Sequence, residues 1–334
     1  MGKNRQWILV RRPEGDIRDG DLELRDSSVP APRDGEVLIR TNYLSLDPTN
    51  RIWMSDMDQY MPPVALGDPM RGAVMGEVVE SRAPAFKPGE LVMTLGSWSD
   101  YCCVPAAAVQ PVPALPGLEP KEAFGILLIV GPTAYFGLVD ICAPRIGETL
   151  VVSAAAGAVG SLVGQIGKAL GCRVVGIAGG PEKCGWITRE LGFDAAIDYK
   201  SEDVAAALHK HCPNGIDIYF DNVGGAILDA ALARMNLFGR VVECGLISTY
   251  NAKAPVPGPA NYPAILMKRL KVQGMIVLDY APRYAEAYRA LATLRAQGKL
   301  KWRLHEVNGL ETALDSVRLL YRGGNHGKLL VKVS

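Results

Sequence analysis

The hydrophobic pattern of the chain changes near residue 121. Before that point apolar and polar residues alternate in short runs, as in Glu36-Val-Leu-Ile-Arg40 and Gly76-Glu-Val-Val-Glu80. A period of two is the signature of half-buried strands. Lys87-Pro-Gly-Glu90 is a turn signal, and Leu91-Val-Met-Thr94 follows it as another short strand. Pro13, Pro30, Pro32, Pro48, Pro62, Pro63, Pro69, Pro84 and Pro88 exclude a long helix, because an interior proline removes a hydrogen bond and clashes with the preceding turn. The pattern predicts an antiparallel, barrel-like β domain.

Beyond residue 121 strands alternate with helices. Leu150-Val-Val-Ser153 reads as a buried strand, and Val159, Leu162, Val163, Ile166 and Leu170 form one helical face after it. Further strands are expected at Arg173-Val-Val-Gly-Ile-Ala178, Ala195-Ala-Ile-Asp198, Ile216-Asp-Ile-Tyr-Phe-Asp221 and Arg240-Val-Val-Glu-Cys244, with a sixth over 272–278. Trp186, Ile187 and Leu191 mark one intervening helix, and Ile227, Leu228, Ala231, Leu232 and Met235 another. Six strands alternating with helices predict an α/β chain with a doubly wound Rossmann sheet. Two more amphipathic helices carry Tyr284, Tyr288, Leu291 and Leu294, then Leu310, Ala313, Leu314, Val317 and Tyr321. Lys328-Leu-Leu-Val-Lys-Val333 closes the chain as a strand that most simply returns to the N-terminal sheet. The expected domains are 1–122 with 300–334, and 123–299.

Composition supports that division. A chain of 334 residues exceeds one ordinary core. Apolar residues at 49% and charged residues at 21% are a globular balance. Lys and Arg number 36 against 35 Asp and Glu, and the densest basic cluster is Lys268, Arg269 and Lys271, so no nucleic-acid partner is expected. Seven cysteines form no C-x-x-C pair, which argues against a disulfide framework and points to the reducing cytoplasm. At the start, Ile8, Leu9 and Val10 stand between charged residues, too short a run for a secretory segment. Residues 149–167 carry no charge but contain four Gly, two Ser and a Gln, whereas a membrane span takes ~20 strongly apolar residues. No membrane partner is expected.

The chemistry enters with Ala155-Ala-Gly157-Ala-Val-Gly160, between a strand and an amphipathic helix. Glycines there let backbone N–H groups approach a pyrophosphate, which then rests on the positive helix end. The alternative is a tight turn in a sheet that binds no nucleotide. An NAD site needs an acid at the end of the second strand, but that strand ends Ile177-Ala-Gly-Gly180-Pro181. Glu182 complements the helix N-terminus, and Lys183 offers a cation that favours NADP. A solvated first-turn lysine is the alternative for Lys183. Zinc catalysis takes about three protein ligands. His209, His211, His305 and His326 all lie in the second half, and the first cysteine is Cys102, so no metal site is expected. His209-x-His211-Cys212 is the only local cluster, and its place at the end of a surface helix suits solvated side chains better.

These stretches resemble the zinc-independent medium-chain dehydrogenase/reductase family, and within it the prostaglandin reductase, alkenal reductase and curcumin reductase group. The resemblance covers nearly the whole chain. It rests on Leu46-Asp47-Pro48, Met61-Pro-Pro63, Met70-Arg-Gly72, Gly131-Pro-Thr-Ala-Tyr135, Ala154-Ala-Ala-Gly-Ala-Val-Gly160, Asp198-Tyr-Lys200, Phe220-Asp-Asn-Val-Gly-Gly225, Cys244-Gly-Leu-Ile-Ser-Thr-Tyr-Asn251 and Gly324-Asn-His-Gly-Lys328. Where zinc-dependent relatives read Gly-His-Glu, this chain reads Gly67-Asp-Pro69.

The resemblance implies a role for individual positions. Gly157, Ala158, Val159 and Gly160 would hold the pyrophosphate; Lys183 and Tyr199 would meet the adenosine 2′-phosphate, with Gly180 beside them. Thr133, Asn222, Cys244, Gly245, Leu246, Ile247, Ser248 and Tyr250 would surround the nicotinamide and its ribose. Met275, Ile276 and Val277, on the sixth strand, would face the carboxamide, and Asn325 would reach back from the C-terminal segment. Tyr250 would be catalytic, as a donor to the substrate carbonyl; a cofactor-packing aromatic is its alternative. One position departs from the family. Relatives commonly read Asp-Pro-Tyr-Met-Arg where this chain has Asp47-Pro48-Thr49-Asn50-Arg51, so Thr49 replaces a pocket aromatic.

The expected function is NADPH-dependent reduction of the C=C bond of α,β-unsaturated ketones or aldehydes, and the resemblance implies a homodimer. A quinone oxidoreductase and a non-catalytic dinucleotide-binding relative are the alternatives.

Overall fold

The computed structural model describes residues 2–114 and 117–334. They form two compact units, one of residues 2–114 and 117–128 with Leu304–Asn325 and Leu329–Ser334, the other of Ile129–Arg303 with His326–Lys328.

The first unit is built on strands. β1 (Lys3–Leu9) and β2 (Leu22–Ser28) pair as a hairpin. β3 (Glu36–Ser45), β4 (Arg71–Ser81), β5 (Leu91–Ser97), β6 (Tyr101–Pro105) and β7 (Gln110–Pro111) join β14 (Leu304–Asn308) and β15 (Lys328–Lys332) in a seven-stranded sheet. β15 lies antiparallel to β3, so the closing strand returns to the N-terminal sheet as its position suggests. Alternation along β3 and β4 buries Val37, Ile39, Leu44, Val74 and Val78 in the core. Short α1 (Thr49–Trp53) starts where Pro48 interrupts the β3–β4 connection, and α10 (Ala313–Arg322) covers the core with Leu314 and Val317.

The second unit is a parallel sheet in the order β10 (Ala195–Asp198), β9 (Arg173–Ala178), β8 (Thr149–Val152), β11 (Ile216–Asp221), β12 (Met235–Glu243) and β13 (Lys271–Gly274). The expected α/β class, an antiparallel sheet with a six-stranded Rossmann sheet, is the observed one. The helices are α4 (Ala158–Ala169), α5 (Pro181–Arg189), α6 (Val204–His211), α7 (Gly225–Arg234), α8 (Pro263–Met267) and α9 (Tyr284–Ala296). Order reverses between β8 and β11, and loops at the carboxyl ends of those two strands meet there; such a switch point is where open sheets bind ligands.

Two details differ from the sequence expectation. Two helices, α2 (Pro120–Leu127) and α3 (Val130–Phe136), and a π-helical stretch Gly137–Cys142 precede the first parallel strand. A capping box starts α2, in which Glu119 and Glu122 satisfy each other's backbone N–H groups. The sixth strand stops at Gly274, because its partner β12 ends at Glu243; one further bond, Met275 N–H to the Glu243 carbonyl at 3.1 Å, completes the pairing. Ile276 and Val277 therefore lie beyond the strand, and Val277 opens a 3₁₀ turn over Val277–Arg283. Among the described residues no single helix is long and apolar enough to cross a membrane.

Candidate active site

The glycine-rich turn joins β8 to α4. Ala154 adopts the left-handed conformation (φ 47°), and the Gly157 N–H closes the turn on the Ala154 carbonyl at 2.8 Å. A Cβ on Gly160 would lie 2.5 Å from that carbonyl oxygen and 2.9 Å from Ala155 Cα, so only glycine fits. Gly157 is the N-cap of α4 and provides no side-chain cap. The first N–H groups of a helix have no partner within it, so those of Ala158, Val159 and Gly160 are placed for an anion. Gly327, from the His326–Lys328 segment of this unit, bridges to Gly157 and donates its N–H to the Ala156 carbonyl at 3.3 Å.

At the ends of β9 and β10 the chain gathers two lysines and a tyrosine. Gly179 lies beneath both Tyr199 and Lys200, where a Cβ would come within 2.9 Å of the Lys200 Cε and the Tyr199 ring. Gly180, at φ 92°, precedes α5, with Pro181 as its first residue. Lys183 follows in the first turn; burial first, then the charge of Lys200, lowers its pKa, while Glu182 acts the other way. The charge of Lys200 disfavours the charged form of Lys183, and an anion between the two side chains relieves that repulsion. The acid here is taken up by the backbone: Asp198 Oδ1 accepts from the Gly180 N–H at 2.7 Å and the Lys200 N–H at 3.0 Å, and these bonds, led by Gly180, hold its carboxyl below the usual range. Lys200 was not singled out from the sequence, although the Asp198-Tyr-Lys200 stretch contains it.

Beyond β11 and β12 a second constellation forms. The Asn222 N–H donates to Ser153 Oγ at 2.7 Å and its side-chain amide to the Ser153 carbonyl at 2.8 Å, tying β11 to β8. Cys244 N–H reaches the Asp221 carbonyl at 2.9 Å, and Ser248 Oγ donates to the Val223 carbonyl at 2.6 Å, so the two strand exits are bound to each other. Burial pushes the Cys244 thiol up to about 12, so it stays protonated at neutral pH and lacks thiolate reactivity. Tyr250 folds back on the turn, where its hydroxyl accepts the Leu246 N–H at 2.9 Å. Accepting that bond uses a lone pair, not the O–H proton. Gly245 makes room, since a Cβ there would sit 3.3 Å from the Tyr250 oxygen. Ile247 completes the turn through its N–H to the Asn222 carbonyl at 3.4 Å.

Thr133 is buried in α3, and its hydroxyl donates to the Ile129 carbonyl at 2.8 Å. Met275 is buried with its sulfur near the Gly137 backbone position. Asn325 closes the Leu304–Asn325 segment of the first unit. In that unit Thr49 meets an aromatic from further along the chain. The Tyr60 hydroxyl hydrogen-bonds Thr49 Oγ1 and accepts from Trp53 Nε1 at 2.9 Å. Burial raises the Tyr60 pKa, so a neutral phenol stands at this spot. Among the described residues no group of three His, Cys, Asp or Glu could hold a metal ion.

Comparison with known proteins agrees with this geometry. Two family models match, "N-terminal domain of oxidoreductase" over residues 5–112 and "Zinc-binding dehydrogenase" over residues 158–294. The chain is 43% identical to the NADPH-dependent curcumin reductase of Escherichia coli (strain K12), covering 99% of this chain and 97% of that protein. It is 38% identical to the NADP(+)-dependent 2-alkenal reductase of Nicotiana tabacum over 99% of this chain and 98% of that one. The crystal structure of CurA from Vibrio vulnificus in complex with NADPH superposes with a TM-score of 0.93 at 44% identity, covering 99% of both chains. The uncapped α4 terminus and the lysine pair fit the phosphates of such a cofactor. The chain belongs to the medium-chain dehydrogenase/reductase family, in the group of curcumin, alkenal and prostaglandin reductases, and is an NADPH-dependent oxidoreductase.

Proposed function

We propose that this enzyme reduces the C=C bond of α,β-unsaturated ketones or aldehydes. The observation that carries the reading is the Tyr250 hydroxyl, held by the Leu246 N–H beside the Asn222 turn. Bound NADPH supplies a hydride. The Gly157–Gly160 turn and α4 hold the pyrophosphate, Lys183, Lys200 and Tyr199 the 2′-phosphate, and Asn222 with Cys244–Ser248 the nicotinamide end. Thr133 and Met275 fill out the wall of that end.

An enone reduced at its β-carbon gathers negative charge on the carbonyl oxygen. A hydroxyl fixed by a backbone amide is a donor that needs little reorganisation to meet that charge. The names of the curcumin and 2-alkenal reductases support an unsaturated carbonyl as the substrate class. A homodimer through β13 belongs to the same reading. That strand ends the parallel sheet, and Val272 on it is 39% exposed with Leu266 and Met267 nearby in sequence at 73% and 66%.

The test is the position of the transferred hydrogen. With cofactor deuterated at the nicotinamide C4, deuterium at the β-carbon of a saturated product is expected. Deuterium on the carbonyl carbon of an unsaturated alcohol contradicts the proposal.

A further inference from the structure

Asp221 ends β11, Glu243 ends β12, and the parallel register sets them opposite each other. Both point to the sheet face that carries Tyr219 and Val241, two residues earlier on each strand and part of the core. Asp221 is fully buried and heavily used. Its Oδ1 accepts from Ser153 Oγ at 2.8 Å, the Tyr219 hydroxyl at 2.9 Å, and the N–H groups of Val223 and Gly224 at 2.9 and 3.1 Å. Among the described residues, its Oδ2 accepts only one of these donors again, the Gly224 N–H at 3.0 Å. The turn that follows, with Gly224 at φ 71° and Gly225 at φ 58°, thus hangs on one carboxylate.

Glu243 brings a second carboxyl to this place. Its Oε2 is buried and meets no hydrogen-bond partner among the described residues. On the other side β13 sets Gly274 in register with it and adds no charge. Among the described residues, the ionisable groups that act on Glu243 are Asp221 and Tyr219 from β11 and Cys244, the next residue along the chain, and none of them is a cation. Two adjacent carboxylates without a cation cannot both ionise at low cost, and a protonated carboxyl is a donor that Asp221 Oδ2 can accept. Burial first and Asp221 second push the Glu243 carboxyl up to about 8.

We propose that Glu243 is a positioning residue for the cofactor: its protonated carboxyl donates a hydrogen bond to Asp221 and so holds the Asn222–Gly225 turn and the Cys244–Ser248 exit in one arrangement. The proposal rests on the reading that this strand end carries the nicotinamide half of NADPH. Loss of the proton sets two negative charges in register, and the turn that Asp221 anchors loosens with alkaline pH.

Two readouts test it, neither using an enone. The first is the infrared carbonyl band of a protonated carboxyl. It is expected in the unmutated protein near pH 7, lost as pH rises through about 8, and absent from Glu243→Gln. The second is NADPH affinity by cofactor fluorescence from about pH 6.5 to 9.5. The unmutated protein should weaken by roughly threefold or more, whereas Glu243→Gln should stay nearly flat. Glu243→Ala should bind weakly already at neutral pH, with Gln restoring what Ala loses. Absence of the band overturns the proposal, even if the Gln variant fails to fold. Superimposable affinity profiles, with the band present, overturn the positioning role. Asn222→Ala separates this from the underlying reading: unchanged NADPH affinity in that variant means that the nicotinamide lies elsewhere.

Discussion

The Leu246 amide donates to the Tyr250 hydroxyl at 2.9 Å, which fixes the phenol over the same turn that links β12 to the rest of the chain. Backbone geometry, rather than a flexible side-chain contact, therefore sets where this hydroxyl points. Tyr250→Phe tests its chemical role. Loss of one donor to a developing oxyanion costs up to about 10²–10³ in turnover. We expect enone turnover to fall by roughly tenfold to a hundredfold, because water can partly replace the phenol. NADPH affinity should change by less than about tenfold, since one neutral hydrogen bond is worth ~1 kcal/mol. Turnover and affinity both unchanged would leave Tyr250 a packing residue.

NADPH should bind at least about tenfold more tightly than NADH. Charge-assisted contacts are worth roughly 1.5–3 kcal/mol each, or about 10- to 150-fold. Lys183→Ala and Lys200→Ala should each shrink the preference and leave NADH affinity nearly unchanged. The check is a pair of titrations per variant. Equal curves for both cofactors in the unmutated protein would contradict the assignment of the lysine pair.

Gly160→Ala should damage the cofactor loop. Its Cβ would meet the Ala154 oxygen at 2.5 Å and Ala155 Cα at 2.9 Å, both backbone atoms that cannot swing aside. Overpacking of this kind costs roughly 1–3 kcal/mol. The variant should melt at a lower temperature, and NADPH should raise its melting temperature less than it does for the unmutated protein.

Much of this was legible in local pattern. Leu162, Val163 and Ile166 follow a helical period and are buried, and the strand, Gly-rich turn and helix around Gly157 are where their spacing puts them. Leu170 belongs to the same period but caps the helix and is 39% exposed, since a pattern does not say where its helix stops. The sixth strand was overextended for a related reason: residues 275–278 are apolar enough to continue it, but pairing ends with its neighbour at Glu243. The start of α2 was missed although the Glu119-Pro-Lys-Glu122 capping signal was present. Lys200 and Tyr60 needed three-dimensional placement, because their partners Gly179 and Thr49 are not marked by any period. Glu243 was invisible for the strongest reason. Only the register of β11 against β12 brings it to Asp221, and a single strand carries no trace of register.

That same pair predicts how stability depends on pH. Glu243 has a folded-state pKa raised from 4.5 to about 8 by burial and by Asp221. The folded state therefore binds a proton that the unfolded chain releases. The contribution to stability is full below about pH 4.5 and is lost progressively as pH rises through about 8. Glu243→Gln cannot titrate, so its melting temperature should gain on that of the unmutated protein between those limits and keep a constant lead above them. A difference that does not vary with pH would contradict the shared-proton account.

The central claim is the reaction, and a product analysis with NADPH tests it most directly. The purified enzyme should be given an alkenal, an aryl enone, a quinone and a secondary alcohol in parallel, with cofactor oxidation and products both measured. The account predicts NADPH consumption matched by the saturated aldehyde or ketone, with the carbonyl group intact. Turnover confined to the quinone, or NADPH binding without oxidation across the panel, would contradict it.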